Sequence, residues 1–101
     1  SHCRSSMYVA FLIVSPIDRG SSLSRYVKKA IDAVKDSGLE YQVTPMGTVI
    51  QSEDLQSIFD CSAAAVEAVR KEGSDRISLS LKVDIRYDKD IDFKTKMEAV
   101  K

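Results

Sequence analysis

The segment Met7–Ser15 (MYVAFLIVS) is apolar on both sides of an extended chain. Met7, Val9, Phe11 and Ile13 fall on one side, and Tyr8, Ala10, Leu12 and Val14 on the other. Successive side chains of a strand point to opposite faces, so this strand needs cover on both. It belongs inside a sheet rather than at its rim. The run is far shorter than the roughly 20 residues of a membrane-spanning helix, so a strand is expected and a membrane partner is not.

Beyond it the period changes. Ser21 or Ser22 can cap a helix whose apolar stripe is Leu23, Val27, Ala30, Ile31 and Val34, the spacing of one helical face. Gly38 stands where helices commonly end. Leu39–Thr44 and Thr48–Ser52 read as short strands joined by a turn with Pro45 and Gly47. Ser52 can cap a second helix. Glu53 and Asp54 then lie in its first turn, and Leu55, Ile58, Phe59, Ser62, Val66 and Val69 form its inner stripe. In Arg76–Tyr87 an apolar set (Ile77, Leu79, Leu81, Val83, Ile85) alternates with a polar one that includes Lys82 and Asp84, which predicts a strand with one core face. Asp92 can cap a last short helix with Phe93, Met97 and Val100 on its inner side.

The order predicts an α+β, ferredoxin-like βαββαβ two-layer sandwich. Its sheet is antiparallel and four-stranded, its two main helices lie on one face, and a C-terminal helix follows. Residues 1–6 read as a leader and 7–101 as a single domain. This layout leaves one sheet face bare although the first strand is apolar on both. The last helix, another subunit or both must cover it, so a dimer or tetramer is expected.

Lys plus Arg and Asp plus Glu are equal at 15 each, which argues against nucleic acid as a partner, because that binding draws on a basic field. The lone histidine, His2, lies in the leader, so neither a histidine triad nor a histidine metal site is expected. Cys3 and Cys61 lack zinc spacing and read as free thiols of a reducing cytoplasm. The glycines are isolated and form no phosphate loop. With no catalytic residue, metal or cofactor expected, the chain does not read as an enzyme.

What remains are polar groups in apolar settings. Ser15 ends the first strand, and Ser21, Ser22 and Ser24 surround the start of the first helix, where free amides and hydroxyls can meet a ligand. Thr48 follows the turn that holds Met46. Tyr26 and Tyr41 offer flat walls with polar tips. Asp84 supplies a carboxylate on the last strand. Each also has a plainer use as a cap, a strand residue, a core edge or a solvated face.

Three stretches resemble the small thiamine-binding, YkoF-like proteins. They are Tyr41-Gln-Val-Thr-Pro-Met-Gly-Thr48 with the acidic helix start after it, Ser22-Leu-Ser-Arg-Tyr-Val27, and Gly73-Ser-Asp-Arg-Ile77 leading into Leu81-Lys-Val-Asp-Ile-Arg86. The similarity runs from about Met7 to Lys101. It departs at Gln51-Ser52, where a Glu-Gly pair is common in the family. The resemblance implies a ferredoxin-like fold, dimers that pair into tetramers, and binding of thiamine or its hydroxymethylpyrimidine moiety without catalysis. Thiamine joins a permanent cation to a flat hydrogen-bonding ring, which suits aromatic or Met walls, hydroxyls and a carboxylate. Ser15, Ser22, Tyr26, Tyr41, Met46, Thr48 and Asp84 are of those types.

The expected function is therefore non-catalytic binding of a small molecule such as thiamine. The alternative is a structural or regulatory oligomer with no dedicated ligand. The pocket is expected near the Thr44–Thr48 turn and the start of the first helix. With the first and third strands read as parallel, Ser15 and Ser52 mark one end of the sheet, and Met7 and Thr48 the other. On that reading a neighbouring subunit is needed to unite the candidates.

Overall fold

The computed structural model describes residues 6–17 and 23–87. Its elements are β1 (Met7–Pro16), α1 (Leu23–Asp36), β2 (Glu40–Thr44), β3 (Gly47–Ser52), α2 (Leu55–Glu72) and β4 (Ile77–Arg86). The sheet order is β2-β3-β1-β4 and every neighbouring pair is antiparallel. This is the expected α+β ferredoxin-like architecture, with the two-faced apolar strand inside the sheet. The expected C-terminal helix at Asp92, the Ser22 cap and nearly all of the leader lie outside the described residues.

One expectation is reversed. β1 and β3 run antiparallel, with Tyr8 opposite Ser52 and Leu12 opposite Thr48. The cause is topological. α1 carries the chain back over the sheet, so β2 repeats the direction of β1, and the hairpin then inverts it. Ser15 and Thr48 consequently share one end of the sheet.

The two sides of β1 are unequal. It pairs with β4 along its whole length, from Met7 opposite Arg86 to Pro16 opposite Ile77. Its rungs to β3 stop at Leu12–Thr48, because β3 begins at Gly47 and the chain turns away into β2. From Ile13 onward β1 has a strand neighbour on one side only.

The helices cover the face that carries Tyr8, Ala10, Leu12 and Ile50, which join Tyr26, Ala30, Val34, Ile58, Cys61, Ala65 and Val69 in one core. Ile50 and Ile58 are fully buried, each contributing roughly 1.5–3 kcal/mol. The α2 stripe is rotated from its expected position. Cys61 and Ala65 are buried and Phe59 is 44% exposed, because the small side chains let α2 approach closely. Ser62, buried with them, donates from Oγ to the Ile58 carbonyl at 2.8 Å, which satisfies its hydroxyl. Asp54 rather than Ser52 caps α2, accepting from the Ser57 amide at 3.2 Å. Gly73 ends it at φ 127°, its amide donating to Arg70 at 3.0 Å, a backbone shape that side-chain-bearing residues avoid.

The opposite face carries Val9, Phe11 and Ile13 of β1 beside Val49 and Gln51 of β3. Gly47 is required there. A Cβ on it would lie 2.9 Å from the Leu12 carbonyl, the Phe11 ring and Ile13 Cγ1 alike.

Candidate functional site

Where β1 outruns β3, a cleft of about 190 Å³ opens between the strand end, α1 and the hairpin tip. Its floor and walls come from Leu12 and Val14 of β1, from the α1 stripe Val27, Ala30, Ile31 and Val34, and from Val43 and Thr48. The helical spacing that builds the core face of α1 thus also lines the cleft, and the small Ala30 leaves room in it. Met46, 75% exposed at the hairpin tip, forms part of the rim with the partly exposed Val27 and Val43.

The hairpin tip is held by one side chain. Thr44 Oγ1 donates to the Gly47 carbonyl at 2.8 Å and accepts from the amides of Met46 and Gly47 at 3.2 Å each. Thr48 is the buried polar residue of the lining, 8% exposed. It sits opposite Leu12 and Val43 on the helix-covered face, and its hydroxyl forms no hydrogen bond among the described residues. The side chains of the lining are apolar or hydroxylic, and none is charged.

Of the predicted site residues, the structure gathers Ser15, Met46 and Thr48 around this cleft. Ser15 borders it from the strand end, paired opposite Ser78. Ser22 lies outside the described residues. The other three are elsewhere. Tyr26 is a core residue, 1% exposed. Its hydroxyl accepts from Arg25 at 2.8 Å, and Arg25 in turn pairs with Glu72 at 3.0 Å. These contacts tie α1 to the end of α2, and the ring is committed to the helix pair. Tyr41 is half-buried opposite Ile50 and packs against the core. Asp84 stands opposite Val9 on the other face of the sheet, across the strand layer from the cleft. Val14, Val27, Ala30, Ile31 and Val43 were not expected in a site. The helical stripe marked three of them, but as core.

A second, larger groove of about 430 Å³ runs between the end of α1 and the start of α2. Asp36, Ser37, Ser57, Asp60 and Cys61 line it with Ala33, Leu39 and Ala64. Its polar groups are mostly engaged locally. Asp60 accepts from Gln56 at 3.0 Å, Ser57 donates to Asp54 at 2.8 Å, and Ser37 accepts from the Leu39 amide at 3.2 Å. Burial pushes the Cys61 thiol above its ordinary pKa, with a hydrogen bond to Ser37 opposing the rise. Among the described residues no group of His, Cys, Asp and Glu is arranged to hold a metal ion.

A family model described as thiamine-binding protein matches residues 10–101. The chain belongs to that family. A UPF0045 protein of Methanothermobacter thermautotrophicus is 42% identical over 94% of this chain and 97% of its own length. Another, from Methanocaldococcus jannaschii, is 37% identical over 91% of this chain and 90% of its own. A crystal structure of a hypothetical protein from M. jannaschii superposes with a TM-score of 0.82 at 36% identity, covering 97% of each chain. A Thermotoga maritima protein assigned provisionally to thiamine biosynthesis or salvage shares the fold, with a TM-score of 0.80 at 19% identity over 94% of this chain and 99% of that one. The family match spans the hairpin, α1 and most of β1, the three parts that enclose the cleft.

Proposed function

We propose that this protein is a non-catalytic binding protein for thiamine or its hydroxymethylpyrimidine moiety, and that the cleft under the hairpin receives the flat ring. The observation that carries the reading is a cleft with no charged side chain in which Thr48, 8% exposed, offers a hydroxyl that forms no hydrogen bond among the described residues. A hydrogen bond from a ligand to that hydroxyl contributes about 0.5–1.5 kcal/mol net. The family match and the resemblance to thiamine-binding proteins support the choice of ligand. The size of the cleft supports the ring over the whole vitamin, since sites for larger ligands run from about 300 to 1,000 Å³. Hydroxyls, a thioether and backbone groups favour holding a molecule over transforming it.

The reading includes self-association into a dimer or tetramer. Val9, Phe11, Ile13 and Val49 form an apolar strip on the sheet face away from the helices. Gln51 Oε1 on the same face is buried with no partner, an acceptor that a second copy can satisfy. The reading assigns no nucleic-acid or membrane partner. Among the described residues no helix is long and apolar enough to cross a membrane. The free, buried Cys61 agrees with a cytoplasmic setting.

Calorimetric titration with thiamine and with hydroxymethylpyrimidine tests the proposal. Saturable binding is expected, weakened about tenfold in Thr48→Val, the cost of one neutral hydrogen bond. No heat and no thermal shift at millimolar ligand would leave a structural oligomer as the better account. Sedimentation at micromolar concentration tests the assembly, and a monomer there would remove that part.

A further inference from the structure

The cleft has a second polar element, and it is main chain. The Ile17 amide donates to the Arg76 carbonyl at 2.9 Å, so at this odd-numbered position the backbone faces the β4 side. Backbone groups alternate sides along an antiparallel strand. Ile13 and Ser15 therefore also direct theirs to β4, and Leu12 and Val14 direct theirs to the β3 side. The Leu12 carbonyl confirms the assignment, since it lies 2.9 Å from where a Gly47 Cβ would stand. Leu12 is the last residue with a rung to β3. Val14, two residues on, turns its amide and carbonyl to the same side, beyond the point where β3 has ended and where the cleft opens. Pro16, the next residue facing that side, has no amide to satisfy, and proline in a strand is tolerated where no ladder partner exists.

We infer that the Val14 amide and carbonyl form the specificity element of the cleft, recognising a planar, neutral heterocycle that carries a ring-nitrogen acceptor beside an N–H donor. The ligand's edge takes the place of the missing strand. The Val14 amide donates to the ring nitrogen and the Val14 carbonyl accepts from the amino group. Thr48 Oγ1 offers a third polar contact from the adjoining strand. The apolar side chains of α1 lie against the ring face. This deepens the proposed function and rests on it, because it states why an aminopyrimidine edge suits this site. A ring without the acceptor–donor pair leaves those backbone groups unpaired against it, and that is the main source of discrimination in such sites.

The test needs no backbone substitution. Amide hydrogen exchange is first followed by NMR in the free, full-length protein. The Val14 amide is expected to exchange faster than those of Ala10 and Leu12, which lie within the β3 ladder. Equal protection at Val14 would overturn the inference without any ligand. The protein is then titrated with 4-amino-2-methylpyrimidine and with its 4-dimethylamino analogue. The amino compound should shift and protect the Val14 amide, and the dimethylamino compound should bind at least about tenfold more weakly. Binding that leaves the Val14 amide unmoved, or equal affinity for both compounds, would overturn this inference while leaving the binding function standing. No binding of either compound, nor of thiamine, would overturn both.

Discussion

The cleft under the hairpin and the groove between the helices differ in a way that size alone would misjudge. The groove is the larger, about 430 Å³ against about 190 Å³. Yet the groove carries the Asp60 carboxylate and its hydroxyls in local hydrogen bonds. The cleft has only apolar and hydroxylic side chains in its lining, the Thr48 hydroxyl forms no hydrogen bond among the described residues, and the Val14 main chain is proposed to face it. A polar group already satisfied by its own helix gains little from a visitor, whereas one without such a partner gains a hydrogen bond. Unmet bonding capacity therefore separates the two places better than volume.

The largest expected effect comes from forcing the hairpin tip away from β1. Gly47→Val drives a branched side chain into the Leu12 carbonyl and the Phe11 ring. It should lower stability by about 3 kcal/mol or more, the upper range for overpacking, as read from urea denaturation, and it should abolish ligand binding. A fully stable Gly47→Val protein would show that the hairpin tip is not held against β1.

Filling the cleft without disturbing the groove is the next step. Ala30→Leu extends a side chain into the space that the small residue leaves. Binding should fall by more than about tenfold, while stability changes by less than about 1.5 kcal/mol because a filled apolar space restores contacts. Calorimetry alongside thermal unfolding separates the two readouts. Undiminished binding in this variant would move the site away from the hairpin.

The groove should answer to pH instead. The unfolded chain releases the Cys61 proton near the ordinary value of 9.0, and the folded chain only at higher pH, because burial disfavours the thiolate. Between those values the folded state holds the extra proton. Stability is thus complete below about pH 9 and declines as pH rises through and beyond it. Cys61→Ala should flatten that decline in denaturation curves measured from pH 8 to pH 10. The smallest effect belongs to Asp60 in the groove. Asp60→Asn should leave pyrimidine affinity within about twofold of the parent, less than the worth of one hydrogen bond, and a larger loss would place the ligand between the helices.

Much of this fold is legible because Met7–Ser15 allows few positions. A strand apolar on both faces had to lie inside the sheet, and the α1 and β4 patterns then assigned the covered face. The relative direction of β1 and β3 was misread, and that error separated Ser15 from Thr48, which border one cleft. Tyr26 looked like a ligand wall because its hydroxyl partner could not be foreseen. Arg25 is adjacent in sequence, but it is positioned by Glu72 on another helix. The rotation of α2, with Cys61 in and Phe59 out, was hidden because helical periodicity fixes a stripe only to within about one residue. The Val14 main chain was beyond side-chain reasoning altogether. Only Pro16 hinted that the strand had lost a neighbour there.

The Thr44 side chain has a kinetic consequence. By closing three hydrogen bonds within its own turn, it shapes the hairpin tip without help from the helices or from a guest. The outer wall of the cleft stands ready before anything arrives, so capture requires little ordering of the chain. A molecule entering such a preformed slot should associate at a rate set by diffusion and orientation. Differences among related rings should then appear chiefly in how long each one stays.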